Sequence, residues 1–144
     1  MKKIKYLSLL LLVIWLSGIF SCNKGKTEVN PQDQVKTKLK GTWTIVFATR
    51  DNIDVTSDFN GFSITFTETG YSTNGGGVAL PVSGAWAFSG EKTDKVVFDG
   101  DIDVTLTFSN NDTNLRLEFT IPDTIYDLGR KEVLGGDYVF ELTK

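Results

Sequence analysis

From Gly41 to Arg50 the sequence reads GTWTIVFATR, with Trp43, Ile45 and Phe47 on one side of a two-residue period and Thr44, Val46 and Ala48 on the other. Strict alternation places successive side chains on opposite faces of a strand, whereas a helix would need apolar residues every three or four. This stretch therefore predicts a strand with one buried face. Threonine at outward positions suits a pleated surface.

The same period recurs to the end of the chain. Phe62-Ile64-Phe66, Val82-Gly84-Trp86-Phe88, Val96-Phe98, Val104-Leu106-Phe108, Leu115-Leu117-Phe119-Ile121 and Tyr138-Phe140-Leu142 all alternate, and a shorter piece surrounds Tyr71 to Thr73. Turn residues separate them: Gly70, Ser89-Gly90, Asp99-Gly100 and Asn110-Asn111. No segment between them is long enough for a helical crossover, so consecutive strands are antiparallel neighbours. About eight such strands predict a small all-β, antiparallel up-and-down barrel. A sandwich of two sheets would alternate in the same way and is the other arrangement left open. Most of the runs are shorter than the roughly 9–11 residues of membrane-spanning strands, and their aromatics fall mid-strand, so the apolar face is the inside.

In an up-and-down chain, alternate connections lie at the same end. Those near Gly70, Gly90 and Asn110 are short, while those from Asp51 to Gly61, Asn74 to Pro81 and Pro122 to Asp137 are long. One end is trimmed, and the other carries elaborate loops of the kind that hold function in β folds.

Before the strands, Asn30-Pro31 predicts a helix start, with Asn30 as cap, and Val35 with Leu39 gives one short apolar face. Gly41 can stop this helix. Further upstream, Lys2, Lys3 and Lys5 precede a nearly continuous apolar run from Tyr6 to Phe20, and small Ser21 precedes Cys22. That is the layout of a secretory leader, with an apolar core of roughly 7–15 residues. It falls short of the roughly 20 residues of a membrane-spanning helix.

Two resemblances follow from these residues. Ile19-Phe20-Ser21-Cys22 resembles the lipobox of bacterial lipoproteins in the relaxed form seen in Bacteroidota. The resemblance implies cleavage before Cys22, acylation of its sulfur and an envelope location. No acidic run follows Cys22, which favours the periplasm-facing side of the outer membrane. LKGTWTIV, Gly84-Ala85-Trp86 and the closing YVFELTK resemble the lipocalin-like domains of such lipoproteins. In that family, a Trp at the position of Trp43 packs across the closed end, beside a short helix and under a late arginine. Arg116 lies on the outward alternation of its strand and Arg130 in a loop, so neither matches that arginine. The expected organisation is a leader over 1–21, a basic tether with a short helix over 22–38, and a lipocalin-like barrel over 39–144.

The chemistry is bounded by what is absent. With no histidine in the chain, imidazole-based nucleophile activation and the common zinc sites are excluded. The run DGDID from Asp99 to Asp103 lacks the glycine and glutamate of a helical calcium loop, with Val104 and Asn110 at those positions, and reads as a hairpin turn. The triple glycine from Gly75 to Gly77 precedes no helix and cannot cradle a phosphate. No metal, cofactor or catalytic residue is expected, and the reading is non-enzymatic.

The chain carries 15 Lys+Arg against 18 Asp+Glu, and removal of the leader lysines leaves it more acidic. Nucleic acid is thereby disfavoured. The resemblance implies a monomer, membrane-bound through Cys22, that takes a small apolar ligand at the loop-rich mouth, lined by Phe47, Trp86 and Tyr126. The alternative is a solid barrel whose loops meet an envelope protein or a glycan, because ten large rings on the inward alternation leave an eight-stranded barrel little room.

Overall fold

The computed structural model describes residues 29–76, 79–122 and 135–144. Among the described residues a short helix, α1 (Pro31–Leu39), precedes nine strands: β1 (Gly41–Arg50), β2 (Ile53–Asp54), β3 (Ser63–Phe66), β4 (Gly70–Asn74), β5 (Ser83–Phe88), β6 (Lys95–Phe98), β7 (Ile102–Ser109), β8 (Asn114–Ile121) and β9 (Gly136–Thr143). A single 3₁₀ turn, Thr56–Phe59, lies between β2 and β3. Every strand pairing is antiparallel, and β1 pairs with both β3 and β9. The sheet closes on itself as an eight-stranded barrel, with the two-residue β2 added at the edge of β1. A two-sheet sandwich is thereby excluded.

The alternation does most of this work. In β8, Leu115, Leu117, Phe119 and Ile121 are buried while Asn114, Arg116, Glu118 and Thr120 are exposed. Trp43, Ile64, Phe66, Phe98, Leu117 and Phe140 are each no more than 1 % exposed. Each such side chain contributes about 1.5–3 kcal/mol by leaving water. The described residues include no buried polar or charged side chain.

One strand breaks its own pattern. Thr44 and Ile45 pair with Thr143 and Leu142, but the next pair is Phe47 with Glu141, so Val46 is an extra residue in a β-bulge. Past the bulge the faces exchange. Ala48 opposes Phe140 inside, and Phe47 joins Glu141 outside, 36 % exposed. The expected inward position of Phe47 is corrected here. A strand that must bend to close a barrel gains twist from a bulge, and the added residue reverses every side chain beyond it.

The helix starts and stops as its residues dictate. Asn30 Oδ1 accepts the Gln32 N–H at 2.9 Å, and Pro31 occupies the first turn. Gly41, at φ +120°, turns the chain directly from helix into β1, a conformation that other residues rarely adopt. Leu39 is fully buried and Val35 packs on the core, so the helix is docked on the barrel rather than free within the tether.

Candidate functional site

The two ends of the barrel are closed by different devices. At the end with the short turns, α1 lies across the opening and is fastened to each turn. Gln32 Nε2 donates to Gly90 O and Lys92 O between β5 and β6. Lys38 pairs with Asp112 between β7 and β8, and Lys40 with Glu68 between β3 and β4. Beneath the helix, Trp43 Nε1 donates to Leu39 O at 2.8 Å. Lys144 Nζ stands 4.6 Å from the centre of the Trp43 ring and donates to Lys38 O and Lys40 O. The cation over this ring is a lysine, where the resemblance had implied an arginine. Its position satisfies carbonyls at the end of α1, where positive charge is favoured.

At the long-loop end, the loops themselves turn inward. The 3₁₀ turn carries Phe59, 1 % exposed, into the mouth, where its ring meets Phe62, Tyr138 and Phe140 edge-on at 6.1, 6.2 and 4.7 Å. Val55 N–H donates to Ala48 O, and Ala48 N–H donates to Thr56 Oγ1, which fixes the turn to β1 just past the bulge. From the second loop, Ala79 and Leu80 are also buried, their amides donating to Gly76 O. The glycine-rich segment is thus drawn into the core at its described residues.

The two described residues expected to line a ligand mouth, Phe47 and Trp86, do not converge. Phe47 is on the outer wall. Trp86 is 5 % exposed and sits toward the helix end, its Nε1 donating to Thr67 O in the β3–β4 turn. Tyr126 and Cys22 lie outside the described residues. Phe59 and Lys144 are the site-forming residues that sequence reasoning missed. Phe59 stands in a non-periodic loop, and the only signal was a large apolar residue where a solvent loop would have none. Nothing in sequence ties Lys144 to Trp43.

Two polar features remain at the rim. Asp99, in the left-handed region with Gly100 at the hairpin turn expected there, accepts from Tyr71 Oη at 2.6 Å and from the Ala85 N–H at 2.8 Å. Its carboxylate is engaged within the fold. On the opposite edge, Asp51 Oδ1 accepts the Asp137 N–H, and Asp137 Oδ1 accepts from Thr120 Oγ1. Next to them, burial pushes the Tyr138 hydroxyl above its usual pKa, and a hydrogen bond with Arg50 partly opposes that shift. On the outer wall, Val46, Thr107, Arg116 and Glu141 border a shallow groove of about 200 Å³. Arg116 is held there by Glu118 at 2.6 Å and Glu141 at 3.3 Å.

A closed eight-stranded antiparallel barrel with a helix across one end fits a lipocalin-like binding fold. No protein-family model matches this chain, and neither a curated protein nor a solved structure is found to match it.

Proposed function

We propose that this chain is a lipid-anchored lipoprotein of the Bacteroidota type, with a lipocalin-like barrel held at the periplasmic side of the outer membrane through Cys22. The barrel acts without catalysis, as a solid module whose loops and outer wall meet an envelope protein or a glycan. The observation that carries the solid reading is Phe59, which occupies the mouth where an apolar ligand would otherwise enter. The dispersal of Phe47 and Trp86 to the wall and the far end supports it further. The leader layout and the position of Cys22 support the anchor.

Two measurements test the two halves. Palmitate labelling of cells expressing the wild type and Cys22→Ser should show a labelled mature species only for the wild type; a labelled Cys22→Ser chain refutes the anchor. Titration of the mature protein with an apolar fluorescent probe should give no saturable uptake. Saturable uptake with tryptophan quenching would instead establish the reading in which a small apolar ligand is carried in the mouth.

A further inference from the structure

We infer that the α1 end of the barrel is a contact face for an anionic lipid surface, which holds the acidic loop end away from the bilayer. The inference rests on the anchor proposed above and adds the orientation of the barrel and the chemistry of the surface it meets.

The point where the chain enters the barrel is fixed. Gln32, Lys38 and the C-cap residue Lys40 tie α1 to the three turns at that end, so Asn30 sits at its rim. The link from Cys22 to Asn30 is short: its eight peptide steps reach at most about 29 Å. The eight residues of β8 rise about 26 Å, or about 20 Å along the axis of a tilted barrel. Inverting the barrel would use about 20 Å of the link's reach to run along the wall, leaving little to reach the bilayer.

Charge acts in the same direction. Around α1 and the short turns stand Lys36, Lys38, Lys40, Lys92, Lys95 and Lys144, against Asp33, Glu68, Glu91, Asp94 and Asp112. The side chains of Lys36, Lys38 and Lys40 remain 42 %, 42 % and 61 % exposed despite their pairing. The link itself holds Lys24 and Lys26 against Glu28. The loop end is opposite in sign. It carries Asp51, Asp54, Asp58, Asp99, Asp101 and Asp137, with Arg50 the basic residue among those described. The stretch 123–134 brings Asp123, Asp127 and Glu132 against Arg130 and Lys131, which leaves the sign unchanged. The field of an anionic membrane decays within about 8–10 Å in physiological salt, less than the barrel height. Only the end nearest the bilayer feels it, and inversion would bring the carboxylates into it. Val29, 59 % exposed just before the helix cap, adds an apolar side chain to the same face.

The test uses the full chain, acylated at Cys22, on vesicles of phosphatidylcholine with phosphatidylglycerol. Once Cys22 is acylated, its sulfur cannot take a thiol dye. A dye on Thr69→Cys then reports the helix end, and one on Ile53→Cys the loop end. Energy transfer to an acceptor on the lipid headgroups should be several-fold stronger from Thr69→Cys. That difference should shrink on pure phosphatidylcholine and at high salt. Equal transfer from both positions, or stronger transfer from Ile53→Cys, overturns the orientation. A difference that persists undiminished on phosphatidylcholine overturns the anionic contact. Both outcomes leave the anchor standing, whereas a wild-type chain without palmitate overturns the anchor and this inference together.

Discussion

Lys144 and Trp43 form one unit: the ammonium stands 4.6 Å over the indole and donates to the carbonyls of Lys38 and Lys40, while the indole N–H donates to Leu39 O. A strand end, a strand start and a helix end are thus joined at a single point. The arrangement combines a cation over an aromatic face with charge-assisted hydrogen bonds to carbonyls at a helix C-terminus. Lys144→Met should lower stability by about 1–2 kcal/mol, read as a fall in the urea midpoint with an unchanged slope. Lys144→Arg, which keeps charge and donors, should recover most of the loss. A midpoint unchanged in Lys144→Met would show that Lys144 does not hold the helix end.

Phe59 makes the counterpart at the other end. Phe59→Ala should cost about 3–5 kcal/mol, because the rings of Phe62, Tyr138 and Phe140 cannot collapse fully into the space it leaves. The same variant should take up an apolar probe that the wild type excludes. Equal uptake by both proteins would mean that Phe59 is not what closes the mouth.

Gly84 is required by Asp99. A Cβ at position 84 would collide with the Asp99 carboxylate that accepts from Tyr71 and the Ala85 N–H. Gly84→Ala should therefore destabilise by about 1–3 kcal/mol, the range for leaving such partners unsatisfied. Asp99→Ala should lose a similar amount, and the double variant should lose less than the sum, since the collision disappears with the carboxylate. Strict additivity in thermal or urea unfolding would refute the coupling.

Tyr138 carries a pH dependence. Its folded pKa is raised, first by burial, so the native state favours the protonated phenol. The resulting stabilisation is fully present below the unfolded value of about 10 and is lost as pH rises through the folded value. Between pH 9 and 12 the wild type should lose stability more steeply than Tyr138→Phe, which keeps the ring stacked on Phe119 but has no proton to release. Parallel curves of urea midpoint against pH would assign the alkaline loss to other groups.

The barrel was legible because its signal is local. Alternation in β8 needs no knowledge of its neighbours, and the turn at Asp99-Gly100 is a property of two residues whose φ angles are both positive. Loop parity then followed from connectivity alone: the β3–β4, β5–β6 and β7–β8 turns lie with α1, while the short β6–β7 turn lies at the other end. Phe47 was misread for the same reason that the rest was read well: a period of two cannot register an inserted residue, and the bulge at Val46 exists only because β1 must pair with β9 while it bends.

The sequence by itself determined strands with one apolar face, the helix that precedes them and the acidic character of one set of loops. These depend on side-chain period, capping residues and composition, each confined to a few neighbouring positions. Only the tertiary structure decided between the expected barrel and a two-sheet sandwich, and only it decided the exit of Phe47 to the outer wall, the entry of Phe59 into the mouth and the seating of Lys144 over Trp43. Each of these depends on residues distant in the chain competing for the same volume or the same hydrogen-bonding group, and that competition has no expression until the strands are side by side.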